Sequence, residues 1–265
     1  MSYVCAVVVA AGEGKRFSCP RMKQLAGKAQ IHKPIAKINA KPIIISCLSA
    51  LDKHPLVNQI IVVVNALKAK EVITEIKKYR LKKISAIVNG GRRRQDSVYQ
   101  GLKVLGPRAD LVLIHDGVRP FISAALVSRV IKAAKITGAA VAAVPVKATI
   151  KEVHSPQSTV HSKGKKTKEV HSQQSKVKSK YKKIIRKTLE RKNLWEAQTP
   201  QAFRRDIILR AYKKFSHLNA TDDAMLVEKL GKKVSLVMGS YNNIKITTPE
   251  DLIIAQGIAK KCLTE

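Results

Sequence analysis

Val4-Cys5-Ala6-Val7-Val8-Val9-Ala10-Ala11-Gly12-Glu13-Gly14-Lys15-Arg16 is a short apolar run that breaks at a glycine turn carrying two cations. The run Val4 to Val9 is too short to cross a bilayer and has no basic segment ahead of it, so it reads as a first β-strand and not as a signal peptide. The residues after it are small. Ala10, Ala11, Gly12 and Gly14 let a backbone turn approach a ligand closely, with its N–H groups toward phosphate oxygens, while Lys15 and Arg16 add positive charge. The pattern is neither a Walker A loop nor a full G-x-G-x-x-G, and taken alone it also suits a plain strand-to-helix turn.

Similar Val/Ile runs recur at Gln59–Val64, Ile84–Val88, Leu111–His115, Ala139–Pro145, Val234–Met238 and Ile244–Ile246. Between them lie segments of helical period: Pro42–Asp52, Lys70–Tyr79, Arg94–Leu105, Ala124–Thr137, Arg205–Phe215, Asp222–Leu230 and Pro249–Lys261. This alternation predicts an α/β fold of three layers, a mostly parallel twisted sheet with helices on both faces. With 45% hydrophobic and only 4% aromatic residues, the core must be built from Ala, Val, Ile and Leu. Such residues suit parallel strands covered on both sides. Ligands of such sheets bind beyond the carboxyl ends of the strands, so the chemistry is expected in the residues that follow each run.

Two more strand tips carry suitable groups. Gly90-Gly91-Arg92-Arg93-Arg94-Gln95-Asp96-Ser97-Val98 places a glycine pair and three arginines at a helix start, an anion-binding arrangement in which one arginine is expected to reach the ligand and the others solvent. His115-Asp116-Gly117-Val118-Arg119-Pro120 places a carboxylate that can accept from sugar hydroxyls or help hold a hydrated metal ion, and an arginine able to grip phosphate. An N-cap or turn role for Asp116 is the plainer alternative.

The formal net charge of +33 points to anionic partners and says nothing about fold. Part of it sits in a tandem repeat, Lys151–Thr167 followed by Lys168–Ile184, two units of 17 residues with 12 identities, holding ten lysines and two glutamates. Two copies are too few for a solenoid, and sequence this polar buries too little apolar surface to offset its ordering entropy. It reads as a mobile or extended arm, its histidines solvated. Cys5, Cys19, Cys47 and Cys262 have no metal-ligand spacing and read as free thiols of a reducing compartment, which suggests a cytoplasmic protein with no membrane association.

Taken together, A-A-G-x-G-x-R, G-G-x-x-R-x-D-S-V, H-D-x-x-R-P, the presumed strand Pro145–Lys151, Leu194-Trp195-Glu196-Ala197-Gln198-Thr199-Pro200-Gln201, Thr221-Asp222-Asp223-Ala224 and Asn243-Ile244-Lys245-Ile246-Thr247 occur in the order of one family. The chain resembles the 2-C-methyl-D-erythritol 4-phosphate cytidylyltransferases over nearly its whole length outside the repeat. The resemblance implies a Rossmann-like three-layer nucleotidyltransferase fold with an extended arm, a single domain over residues 1–265, with the repeat at 151–184 inside the arm. It implies transfer of CMP from CTP, with Mg²⁺, onto a sugar-alcohol phosphate on the non-mevalonate route to isoprenoid precursors. By motif position Ala10, Ala11, Gly12 and Gly14 line the triphosphate loop. Arg16 and Lys33 stabilise its charge. Gly91, Arg94 and Ser97 bind the nucleotide, with Gly117 beside it. Asp116, Arg119, Thr149, Thr221 and Lys245 surround the sugar phosphate, and Arg191 with Lys245 positions it for attack. In the family the arginine matched by Arg191 comes from a partner subunit, which implies a homodimer through the arm.

Three points depart from the pattern or stay open. The family's second lysine matches Lys33 by its spacing to Ile38–Pro42, with Lys23 the competitor by distance to Arg16. Ala148 and Arg93 stand where acidic residues are common, which makes the site more basic. The acceptor is open between methylerythritol phosphate and ribitol 5-phosphate, whose cytidylyltransferases share much of the pattern. A reading of another class, a basic nucleic-acid-binding protein on a degenerate nucleotidyltransferase scaffold, draws on the charge and the arm. Tyr181 is the arm's only aromatic residue, which favours non-specific polyanion binding over base readout. A third reading keeps the enzyme and makes the arm a dimer clasp.

Overall fold

A computed structural model describes residues 2–12, 33–154 and 183–264 of the 265-residue chain, the last three without their side chains. Gly14, Arg16, Lys23, Cys19 and most of the repeat lie outside the described residues. Internal packing divides the chain into two compact units, residues 1–144 with 197–265, and residues 145–196.

The first unit is built on the expected sheet. Its strands in chain order include β1 (Val4–Ala10), then β2 (Lys37–Ile38) and β3 (Lys41–Pro42), which form a small antiparallel hairpin of their own. After these come β4 (Gln59–Val64), β5 (Ile84–Asn89), β6 (Leu111–Asp116) and β7 (Ala139–Pro145). β1 pairs in parallel with β4 on one side and β6 on the other, and β4 pairs in parallel with β5. The registers Ala10↔Val64, Val64↔Asn89 and Val9↔Asp116 bring the carboxyl ends of four strands into one row. The chain runs outward from β1 through β4 to β5, then returns to the other side of β1 as β6. That reversal opens a crevice between the ends of β1 and β6.

The pleat sorts the core into two layers. Val4, Ala6, Val8 and Ala10 pack on one face with α1 (Ile43–Asp52), α2 (Ala69–Lys78) and α4 (Ala124–Thr137). Val7 and Val9 pack on the other with α3 (Arg94–Lys103), α5 (Arg205–Lys214) and α6 (Asp223–Lys229). Successive side chains of a strand point to opposite faces, so a continuous Val/Ala run must be covered twice. The helix termini follow local chemistry: the Ser123 side chain accepts from the Leu126 N–H, and Gly138 ends α4 with φ of 86°, a left-handed conformation that suits glycine.

The remaining strands are β8 (Lys151–His154), β9 (Ile184–Thr188), β10 (Trp195–Arg204) and β11 (Ser235–Met238), and the C-terminal helix is α7 (Pro249–Thr264). The main sheet runs β11-β7-β10-β6-β1-β4-β5, and β10 is antiparallel to β6. Sequence patterning did not announce β10, because Gln198, Thr199, Pro200 and Gln201 break its apolar run. Two expected strands are corrected. Residues 244–246 form no strand and are tied to the turn after β6 by the Ile246 N–H on the Val118 carbonyl. Residues 146–150 do not continue β7, and a new strand starts at Lys151. In the second unit β8 and β9 form an antiparallel hairpin, on which Arg186 pairs with Glu152 at 2.9 Å. This pairing joins the first residues of the repeat, Lys151–His154, to Ile184–Thr188, which begins at its last residue.

Gly101 is where α3 comes closest to β1: a Cβ there would lie 2.5 Å from Val7 Cγ1 and 3.1 Å from Val63 Cγ2. Helix propensity alone makes Gly101→Ala stabilising by about 1 kcal/mol. The stiff β-branched neighbours reverse that sign, and overpacking of this kind costs about 1–3 kcal/mol. Urea unfolding of Gly101→Ala is expected to show a net loss of stability; a gain would mean that α3 stands off the sheet.

Candidate active site

The crevice at the row of strand ends is a cavity of about 480 Å³. It is lined from β1 by Val9, Ala10, Ala11 and Gly12, from the glycine pair by Gly91 to Arg94 and Ser97, and from β6 by Asp116 and Val118. Lys33, Asn65, Lys245 and Thr247 add to its charged and polar wall. Nine of the residues singled out from sequence thus meet in one place: Ala10, Ala11, Gly12, Lys33, Gly91, Arg94, Ser97, Asp116 and Lys245.

The glycine pair is required by packing. A Cβ on Gly90 would overlap the Cβ of Ala11, and one on Gly91 would overlap that of Asp96. The Ser97 hydroxyl accepts from the Gly91 N–H at 3.1 Å and reaches the Arg93 carbonyl at the same distance, folding the loop back onto α3. The three arginines part ways. Arg94 turns into the crevice wall. Arg93 does not enlarge the positive charge of the site: it pairs with Asp96 at 2.6 Å and donates to the Leu218 and Ser216 carbonyls. Arg92 is exposed on the cavity rim. The expectation that the two arginines other than the one at the ligand are solvated does not cover Arg93, whose neighbours supply a carboxylate and two carbonyls.

Asp116 is the electrostatic centre. Only 5% exposed, it receives Arg94 Nε at 3.0 Å on Oδ1 and Lys245 Nζ at 2.7 Å on Oδ2, with Arg119 Nε 3.8 Å away. Burial by itself would raise its pKa, but Arg94, Lys245 and Arg119 overcome this and hold it well below the usual carboxylate range. It is not an N-cap: its carbonyl closes a turn by accepting from the Arg119 N–H at 3.0 Å, while its side chain gathers the cations. Arg119 differs from the sequence expectation. It is buried, its Nη1 donates to the Asn243 carbonyl at 2.7 Å, and it supports Asp116 and the Asn243 segment instead of lining the cavity. Gly117 lies under the cavity wall, where a Cβ would stand 3.2 Å from the Ala10 Cβ and 3.3 Å from the Val9 carbonyl oxygen.

The antiparallel direction of β10 delivers a polar set to the carboxyl end of β6. Thr199 Oγ1 accepts from the Asp116 N–H at 3.0 Å and meets His115 Nδ1 at 3.1 Å, while His115 Nε2 meets the Arg119 carbonyl at 3.2 Å. A carbonyl can only accept, so Nε2 carries the proton and the Thr199 hydroxyl donates to Nδ1. The relay closes over the turn 115–119. Gln201 Nε2 donates to Asp222 Oδ2, and Gln201 Oε1 accepts from the Ala224 N–H, which clamps the start of α6. Asp223 in that helix is fully buried, and its Oδ2 lies 2.9 Å from Arg94 Nη2. Within the 221–224 motif, Thr221, assigned to the acceptor by motif position, is exposed and its hydroxyl meets Met225 Sδ at 3.8 Å. Thr221 is not a cavity residue. The buried start of the helix at Asp223 is the signal that marks this member of the motif. Thr149 and Arg191 belong to the second unit, where both are exposed and Arg191 Nη1 donates to the Lys147 carbonyl at 2.6 Å.

His115 gives a pH test of the relay. Burial, opposed by Asp116 and the Arg119 carbonyl, lowers its pKa from 6.5 to about 4. The unfolded chain therefore binds a proton between those values that the folded chain refuses, so the neutral His115 contributes stability above pH 6.5 that is lost as pH falls toward 4. Denaturant unfolding from pH 7 to pH 4.5 should fall more steeply in the wild type than in His115→Gln, by up to about 1.4 kcal/mol per pH unit. Equal slopes would place the protonated ring in the fold.

The family model described as "IspD: 2-C-methyl-D-erythritol 4-phosphate cytidylyltransferase" matches residues 4–175 and 172–261. The 2-C-methyl-D-erythritol 4-phosphate cytidylyltransferase of Syntrophus aciditrophicus is 44% identical over 261 residues, covering 97% of this chain and 96% of its own. That of Alkaliphilus oremlandii is 40% identical over 265 residues, with 98% and 96% covered. Among solved structures, 4-diphosphocytidyl-2C-methyl-D-erythritol synthase from Anaerococcus prevotii superposes with a TM-score of 0.73 at 28% identity, over 98% of this chain and 96% of that one. The Thermus thermophilus cytidylyltransferase does so with a TM-score of 0.66 at 26% identity, over 98% and 100%. The match runs through the sheet, the crevice motifs and α7, and the chain belongs to the 2-C-methyl-D-erythritol 4-phosphate cytidylyltransferase family.

Proposed function

We propose that the crevice transfers a cytidylyl group from CTP to 2-C-methyl-D-erythritol 4-phosphate, releasing pyrophosphate, in isoprenoid precursor synthesis. The observation that carries this reading is one carboxylate, Asp116, held by Arg94 and Lys245 in a cavity whose other wall is small-residue backbone and the cation Lys33. Full-length family membership supplies the nucleotide base and the acceptor. Ribitol 5-phosphate is not favoured, because the family model and the relatives above are those of methylerythritol phosphate.

The reaction needs positioning and charge stabilisation more than proton transfer. An acceptor phosphate monoester is already ionised near neutral pH, so its oxygen can attack the α-phosphorus without a protein base. Ala10, Ala11 and Gly12 present backbone to the triphosphate, Lys33 lines the cavity beside them, and Arg16 is assigned to its developing charge on motif position. Lys245 bridges the site: its bond to Asp116 keeps an ammonium at the crevice for the acceptor phosphate. Gly91 and Ser97 hold the nucleotide side of the wall. Thr149 and Arg191 are assigned to the acceptor on motif position, with Arg191 contributed across a homodimer through the arm.

Among the described residues there is no cluster of three metal-ligating side chains, and Asp116 is the one carboxylate of the cavity lining. Both Asp116 oxygens are engaged by Arg94 and Lys245, so the donor set suits Mg²⁺ carried by phosphate oxygens and water. Bound there, the ion would offset triphosphate charge. None of the described helices is long and apolar enough to cross a membrane, and a cytoplasmic enzyme fits the free, buried Cys5 and Cys47.

Pyrophosphate release measured with CTP and each acceptor is expected with methylerythritol phosphate and absent with ribitol phosphate. Silence with both, together with salt-sensitive RNA binding, would overturn the enzyme reading. Lys33→Ala and Arg16→Ala should each lower turnover roughly 10²–10³-fold, the scale of a lost preorganised donor. Near-normal turnover of Lys33→Ala with collapse of Lys23→Ala would transfer the role to Lys23.

A further inference from the structure

We propose that Asp223 is a positioning residue for the nucleotide, acting through Arg94; this rests on the cytidylyltransferase reading above. Arg94 has three nitrogens. Nε is on Asp116 Oδ1 at 3.0 Å and Nη2 is on Asp223 Oδ2 at 2.9 Å. Nη1 has no hydrogen-bond partner among the described residues, on a side chain that is 25% exposed and lines the cavity. A guanidinium is planar, so holding two of its nitrogens on separate carboxylates fixes the direction of the third. Arg94 is thereby a donor set in advance, aimed without the entropy loss that a free arginine suffers on binding.

Asp223 is itself immobilised from three sides. The Tyr212 hydroxyl donates to its Oδ1, and Tyr212 is 1% exposed and stacked on Tyr99 with ring centroids 6.0 Å apart. Asp222 caps the helix by accepting from the Met225 N–H at 3.0 Å. Gln201 ties Asp222 and Ala224 to β10. Without Asp223, Asp116 is the sole carboxylate left to Arg94. The guanidinium is then free to swing until it grips Asp116 with both Nε and Nη2, and Nη1 leaves its set direction. Two carboxylates on one arginine also leave the local cluster less positive, so Asp223 acts by orienting Arg94 and not by adding attraction for phosphate.

The test is a double-mutant cycle on the full chain, read by the KM of CTP, kcat and calorimetric CTP affinity. Asp223→Asn is expected to raise the KM for CTP about tenfold, the scale of one charge-assisted hydrogen bond, with kcat and the acceptor KM changed less than about threefold. In an Arg94→Gln background the same substitution should alter CTP affinity less than about twofold, since the residue it acts through is gone. Additive losses, or a fall in kcat with an unchanged CTP KM, overturn the proposal. Should Asp223→Asn fail to fold, Tyr212→Phe loosens the same carboxylate. Its CTP KM should rise about threefold and become silent with Arg94→Gln, and no change in KM overturns the proposal equally. A wild type that binds CTP but transfers nothing would sink the function and leave the affinity cycle readable. A wild type that transfers, with an additive cycle, sinks only the role of Asp223.

Discussion

A carboxylate taken out of water has to be repaid in charge, and Asp116 sets that requirement for the whole crevice. Two of its three cations come from distant places in the chain, and the third stands three residues on. Arg94 starts α3, Arg119 follows the turn beyond β6, and Lys245 lies in the extended segment before α7. Losing any one would leave a buried charge less compensated, which is more destabilising than any single surface pair is stabilising. The sheet order, the turn at 117 and the path of residues 243–247 can all be understood as ways of bringing those groups to one carboxylate. The same charges make a site for anions, so the constraint that stabilises the crevice also gives it its chemistry.

The second framework is uncharged and comes from β10. Gln198, Thr199 and Gln201 are buried polar side chains in a strand that runs against its neighbour β6. Each ties down a different loop. Gln198 Nε2 donates to the Ser240 carbonyl and Gln198 Oε1 accepts from Asn243 Nδ2; Thr199 holds the 115–119 turn; Gln201 holds the start of α6. Buried polar groups are tolerated because their partners are present, and a satisfied network of this kind specifies one arrangement where an apolar core would tolerate several. The antiparallel direction matters. A parallel strand in that place would bring its polar residues to the crevice only at its carboxyl end, with a helix needed to return the chain.

How far the sequence could be read differs between the two frameworks. The parallel strands and the covering helices were legible because apolar runs and helical periods are local. Seven helices fell within a residue or two of expectation, save the extension of α7 to Thr264. Strand tips were legible as sites because glycines, arginines and an aspartate stand where an α/β sheet binds ligands. β10 was not, because its pattern reflects partners far away in sequence. Thr199 and Asp116 are 83 residues apart, and no local rule announces that a Gln-Thr-Pro-Gln stretch will be buried.

The residue roles divide in the same way. Sequence by itself determined the α/β class, the family, the strand-end location of the chemistry and the gathering of Gly91, Ser97, Asp116 and Lys245 as a set, because each depends on residue type, order and spacing. Only the tertiary structure decided which of three neighbouring arginines enters the crevice, that Arg119 faces inward, and that Asp223 and not Thr221 connects the 221–224 motif to the site. Those outcomes depend on which carboxylates and carbonyls lie within about 3 Å of a guanidinium, the range of a hydrogen bond. That proximity is created by packing elements more than a hundred residues apart, as Arg94 and Asp223 are.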